Sequence, residues 1–174
     1  MAPEPEHPLA AEAPGLVHPW PEPPAGGTSI LVAPGIRWIR MPLPFALNHI
    51  NLWLLDDERG TTVVDTGVGL PPTRALWETR LAGELRERPV VRVVVTHFHP
   101  DHIGNAEWLA ARFGVEVWCP QAEWLMCQLA WQGMGGNDSE KRLGHYRRHG
   151  VPAAQVEASK DVGVLLDMAC PAEV

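Results

Sequence analysis

Cysteine is scarce in this chain of 174 residues: Cys119, Cys127 and Cys170 are odd in number and have no framework spacing. That excludes a disulfide-stapled fold and leads to the expectation of reduced thiols and a cytoplasmic setting. Basic charge is also scarce, with 14 Lys and Arg against 21 Asp and Glu and a net charge of -7. Without a basic stripe the chain is not expected to bind nucleic acid generally, although an acidic surface leaves room for a nuclease pocket. No apolar run approaches the roughly 20 residues that a bilayer-crossing helix needs, so no membrane span is expected. The opening Met1-Ala2-Pro3-Glu4-Pro5-Glu6 has neither a basic start nor an apolar stretch, and no secretory signal is expected. Disorder is excluded in turn, because 45% of the residues are hydrophobic and 20% charged, in a length suited to about one domain with a real core.

Proline is plentiful but uneven. Residues 1–29 contain Pro3, Pro5, Pro8, Pro14, Pro19, Pro21, Pro23 and Pro24 and close on Gly26-Gly27, which reads as a flexible leader without apolar periodicity. From Ile30 the pattern becomes globular. Short strands are expected over Ile30–Val32, Ile36–Met41 and His49–Leu55, then Thr61–Val64 after the polar hairpin loop Asp56-Asp57-Glu58-Arg59-Gly60. Leu76, Trp77, Leu81 and Leu85 recur at helical spacing behind Pro71-Pro72 and predict a helix reaching Arg88. Val90–Val95 is a near-continuous apolar strand of the kind buried on both faces. A helix over Ile103–Phe113 stopped by Gly114, a strand over Val115–Trp118, a helix over Pro120–Trp131, a polar helix from Ser139 to His149 and a last one opened by Pro152 follow. Residues 30–159 are thus the expected globular portion, and 160–174 form a tail with no assignable pattern.

The chemistry is concentrated at the end of the apolar strand. Thr96-His97-Phe98-His99-Pro100-Asp101-His102 places three histidines and an aspartate within six residues. Imidazole nitrogen and carboxylate oxygen are ligands that zinc and other first-row metals prefer, and a loop leaving a buried strand holds them stiffly. His97 and His99, two apart, project to the same side if strand geometry persists, and can grip one ion. Asp101 and His102 follow the turn at Pro100 and can face a second. Two adjacent metals can share a bridging hydroxide that is nucleophilic at neutral pH, since a bound metal lowers the pKa of water to about 7.

The motif His-x-His-x-Asp-His after a buried strand resembles the signature of the metallo-β-lactamase fold superfamily. Asp65-Thr66-Gly67 at an earlier strand end resembles that family's Asp-Thr-Gly element. The resemblance implies an α/β fold of αββα sandwich type, with a mostly antiparallel or mixed sheet and flanking helices, of which this chain would supply the N-terminal half. It further implies that His97 and His99 bind a first metal and that Asp101 and His102 bind a second. Asp101 would also orient the nucleophile, while Asp65 would orient a ligand or bound water. Two zinc ions per complete site are implied, with iron or manganese as alternatives. The activity implied is hydrolysis of an ester, thioester, lactone or similar bond in a small-molecule substrate by metal-bound hydroxide. The family's remaining ligands come from a C-terminal half, and no residue after His102 matches them. The alternative reading is therefore a truncated, inactive metal-binding or interaction fragment, open to self-association through an uncovered sheet face.

Other polar residues carry plainer readings. His49 is expected as a strand-entry residue, Asp65 equally as a turn cap, and His145 with His149 as a solvated basic face beside Arg147 and Arg148. Gly133, Gly135 and Gly136 lack the Lys-Ser/Thr ending of a phosphate loop and predict a mobile loop over the site. Cys119 and Cys127 read as small buried residues, and the tryptophans as mainly core.

Overall fold

A β-hairpin built on the Pro34-Gly35 turn opens the sheet, with β1 (Ser29–Ala33) antiparallel to β2 (Ile36–Pro42). The computed structural model of the chain describes residues 19–44, 47–132 and 139–159. β3 (His49–Asp57) and β4 (Gly60–Val64) continue the antiparallel meander, and Asp57 pairs with Gly60 across the short turn. α1 (Pro71–Ala82) then crosses over, so that β5 (Val90–Val94) joins β4 in parallel and β6 (Val117–Trp118) joins β5 likewise. The result is a mixed six-stranded sheet in the order β1-β2-β3-β4-β5-β6. A parallel pair needs a crossover of a dozen or more residues, which the antiparallel turns before it do not supply and α1 does.

Residues alternate between the two faces, with breaks in register at Thr61–Thr62 and Leu31–Ala33. On the inner face Ile39, Met41, Leu52, Leu54, Val63 and Val93 meet Trp77 and Leu81 of α1 and Leu109 of α3 (Ala106–Phe113) in one buried cluster. Thr73, Trp77 and Leu81 are the buried positions of α1, four apart, as a helix lying on a sheet requires. On the outer face the register aligns Trp38, Trp53, Val64, Val94 and Trp118 in a row across five strands. This row is not covered: Trp53 keeps 37% and Trp118 54% of its surface exposed. One sheet with helices on one face is half of the expected αββα sandwich.

Several local expectations are revised. The helix from Pro71 ends at Ala82 rather than Arg88, because Gly83 closes it with bonds to the Thr79 and Arg80 carbonyls and Leu85 turns back into the core. The helix expected over Ile103–Phe113 is split into α2 (Pro100–Ile103) and α3, with the break at Asn105 (φ -116°, ψ 12°). Gly114 ends α3 as foreseen, in the left-handed conformation (φ 62°) that glycine adopts without steric cost. β5 is not buried on both faces, since Arg92 and Val94 on the outer side are only half-covered. Among the described tryptophans Trp77 alone is fully buried; Trp20, Trp53, Trp118 and Trp124 are exposed. Pro24, near the end of the proline-rich leader, is buried, and Arg80 Nε donates to the Gly27 carbonyl at 2.6 Å. α4 (Gln121–Trp131), α5 (Ser139–Arg148) and α6 (Ala153–Ala158) complete the described elements. The glycines at 133, 135 and 136, Cys170 and the tail from 160 lie outside the described residues.

Candidate metal centre

β4 and β5 run parallel with Val64 opposite Val94, so both release the chain at the same sheet edge. Open sheets with parallel strands offer ligand sites at this carboxyl end. Asp65 comes first, at φ 59°, a left-handed conformation that Asp tolerates better than most residues but at a cost of about 1 kcal/mol or more. Its N–H donates to the Val94 carbonyl at 2.8 Å. The carboxylate is fully engaged: Oδ1 accepts the Thr96 N–H at 2.8 Å, and Oδ2 accepts the Thr96 hydroxyl and His102 Nδ1–H, each at 2.8 Å. Burial alone would raise the Asp65 pKa, but the bonds from His102 and Thr96 outweigh it and hold the carboxyl below its ordinary value.

These bonds set the protons on the histidines. With Nδ1–H given to Asp65, His102 keeps its lone pair on Nε2, which stands 3.7 Å from Asp101 Oδ2. The Thr96 hydroxyl gives its hydrogen to Asp65 and so accepts from His97 Nδ1 at 3.0 Å, leaving the His97 lone pair on Nε2. That nitrogen faces His99 Nδ1 at 3.1 Å. Two nitrogens sharing a tetrahedral zinc with Zn–N bonds of about 2.0–2.1 Å stand about 3.3 Å apart, so the pair is spaced for one ion, which would take the place of the hydrogen they share. The His97 ring also lies 3.7 Å, centroid to centroid, from that of His102. Burial, followed by the nearby His102 and His99, lowers the His97 pKa against the pull of Asp65 and Asp101, which favours the neutral form that binds metal. Among the described residues no group of three or more His, Cys, Asp or Glu side chains converges on one ion.

A buried clamp joins the Asp65 loop to the histidine loop. Thr66 donates from both its N–H and its hydroxyl to the His102 carbonyl, at 2.7 and 2.8 Å. The Asn105 amide, 0% exposed, reaches the carbonyls of Thr66, Gly67 and Val68 at 2.9–3.0 Å, and Trp77 Nε1 donates to Thr66 O at 2.8 Å. Gly104 lets the loops touch: a Cβ there would lie 2.4 Å from Gly69 N and 2.9 Å from Gly67 O. From α4, Glu123 accepts the Phe98 N–H at 3.2 Å.

The sequence assigns no role to Thr96, Asn105 or Glu123, and Thr66 enters it only as the middle of the Asp65-Thr66-Gly67 element. The one available signal was Gly104-Asn105 directly after the motif, a polar break inside an otherwise apolar helical pattern. The structure brings His97, His99, Asp101, His102 and Asp65 together. His49 instead begins β3 beside Arg40, and His145 and His149 sit exposed at the end of α5 and just beyond it, rings stacked at 4.0 Å. Cys127 is buried and Cys119 half-buried, and neither is in a disulfide. No helix among the described residues is long and apolar enough to cross a membrane.

The sequence profile of the metallo-beta-lactamase superfamily matches residues 46–166. A hydroxyacylglutathione hydrolase of Albidiferax ferrireducens is 39% identical over 84 residues, covering 48% of this chain and 29% of that protein. The human acyl-coenzyme A thioesterase MBLAC2 is 34% identical over 77 residues, covering 41% of this chain and 28% of that protein. A beta-lactamase domain protein from Burkholderia ambifaria superposes with a TM-score of 0.67 at 38% identity, over 88% of this chain and 44% of its own length. A metallo-beta-lactamase family protein from Thermus thermophilus gives a TM-score of 0.56 at 27% identity, over 75% and 43% respectively. These matches span less than half the length of each of those relatives. With the His-x-His-x-Asp-His loop at the carboxyl end of the parallel strands and the family profile matching 46–166, the chain belongs to the metallo-beta-lactamase superfamily.

Proposed function

We propose that this chain carries the first metal-binding half of a hydrolase that cleaves thioesters or similar acyl bonds in a small-molecule substrate. The observation that carries the reading is the facing of His97 Nε2 and His99 Nδ1 at 3.1 Å, beside a His102 whose tautomer Asp65 fixes. His97 and His99 would hold one ion, and Asp101 and His102 a second; zinc suits this donor set, with iron or manganese as alternatives. When bound, such a metal acidifies water and stabilises negative charge on an acyl oxygen. The residues of the chain do the rest. Asp65 holds His102 Nε2 free of a proton, Thr96 does the same for His97, and Asp101 is placed to orient the attacking water. Thioesters are favoured because hydroxyacylglutathione hydrolase and acyl-coenzyme A thioesterase are the names of the relatives. Metal analysis after zinc reconstitution tests the reading. At least one equivalent is expected, with binding weakened by His97→Ala and by Asp101→Ala, and less than about a tenth of an equivalent overturns it.

A second reading, a metal-binding or interaction fragment without turnover, is supported by the exposed Trp53 and Trp118 of the outer row and by the absence of a converged third ligand among the described residues. Thioester turnover that is abolished by a chelator and restored by zinc would exclude it.

A further inference from the structure

At the same sheet edge as the metal centre, a cavity of about 290 Å³ is lined by Arg40, Met41, Pro42, Asn48, His49 and Pro24, among others. Its position follows from the register. Trp53 pairs with Val64, so His49 at the start of β3 flanks the end of β4 from which Asp65 emerges. Arg40 and His49 lie on the same outer face, Arg40 opposite Asn51 and Pro42 opposite His49. Arg40 Nη2 lies 2.8 Å from His49 Nδ1, and Asn48 Oδ1 lies 2.8 Å from the same nitrogen. Burial first, and then the charge of Arg40, lowers the His49 pKa and keeps the ring neutral. Among the described residues no carboxylate pairs with Arg40, and none lines the cavity. In a chain of net charge -7, a half-buried guanidinium that meets no carboxylate among the described residues is a place where an anion is favoured.

We propose that Arg40 and His49 form a binding pocket for a carboxylate joined to a short apolar chain. The remaining guanidinium N–H groups are the donors for the two oxygens, the His49 ring closes one side, and Pro23 and Pro42 give the apolar wall. The Arg40 cation is the one charged group in the lining, which selects against amines and leaves alcohols without the charge term. That the captured carboxylate belongs to the substrate rests on the hydrolase reading above; the pocket itself does not.

The test is titration of the full chain with hexanoate, hexanol and hexylamine in metal-free buffer, followed by the His49 imidazole signals in NMR and by calorimetry. Hexanoate is expected to shift His49 at concentrations up to about 10 mM, with hexanol at least about tenfold weaker and hexylamine silent. Arg40→Gln is expected to weaken hexanoate about tenfold or more. Equal binding of hexanol, no hexanoate shift at His49, or an unchanged affinity in Arg40→Gln would each overturn the proposal. If Arg40→Gln does not fold, the comparison of the three ligands on the unaltered chain decides alone. Because no metal takes part, failure here leaves zinc stoichiometry untouched, and a failed zinc titration leaves this pocket standing.

Discussion

Replacing Asp65 by Asn separates its role in holding the fold from its role in setting protons. The carboxylate accepts three bonds at 2.8 Å, from Thr96 N–H, the Thr96 hydroxyl and His102 Nδ1–H. Bonds to a charged acceptor are worth about 1.5–3 kcal/mol each and neutral ones about 0.5–1.5, so the loss of charge removes about 3 kcal/mol in total. Relief from burying a carboxylate returns about 1 kcal/mol, for a net destabilisation of about 2 kcal/mol. The new carbonyl can still accept from Thr96 N–H. The new NH2, however, points a donor at His102 Nδ1–H, and the cheapest relief is for His102 to move its hydrogen to Nε2 and accept at Nδ1. The fold survives while the lone pair that faces Asp101 disappears. Imidazole NMR at neutral pH should report the tautomer change, urea unfolding the stability loss, and zinc analysis the loss of binding at His102. A variant in which His102 keeps its hydrogen on Nδ1 and the urea midpoint does not move would refute the reasoning.

Three further outcomes follow from the same contacts. Gly104→Ala drives a Cβ onto the backbone of Gly69, Pro100 and Gly67, and Asn105→Ala strips its amide from three carbonyls; each is expected to cost about 2–4 kcal/mol by urea unfolding, and a change below about 0.5 kcal/mol would count against the clamp. His97 and His49 have folded pKa values lowered from 6.5, so their contribution is complete above about pH 6.5 and is lost as pH falls through the folded values, while the lowered Asp65 acts below about pH 4. Urea midpoints should therefore fall from about pH 7 to pH 5, less steeply in His97→Gln, and a flat profile would contradict this. The outer row should drive self-association, so sedimentation is expected to show a concentration-dependent larger species that Trp53→Thr with Trp118→Thr reduces; a strictly monomeric chain at all concentrations would rule this out.

The strand pattern was legible because short runs rich in β-branched and apolar residues between Ile36 and Val64 are bounded by turn residues, and because Pro71-Pro72 and Gly114 punctuate the helices locally. Helix length was less legible. Leu85 keeps the helical spacing of Leu81 yet reaches the core from beyond Gly83, since periodicity records which side is buried and not which backbone gets it there. The tryptophans misled for a related reason: Trp53 and Trp118 have core composition, but only the sheet register shows that they face away from α1 and α3.

By itself the sequence determined the ligand types, their spacing and the family they point to, since His97, His99, Asp101 and His102 are close along the chain and the loop that holds them is local. Asp65 and Asn105 are different. They lie more than thirty positions from their partners (37 for Asp65 with His102, 39 for Asn105 with Thr66), and only parallel pairing of β4 with β5 brings the two loops to one edge. Which nitrogen of each imidazole is bare, how Gly104 lets the loops touch and how Arg40 comes to meet His49 and no carboxylate among the described residues were decided there. Those are properties of contacts across the chain, and a contact between distant segments has no signature in either segment alone.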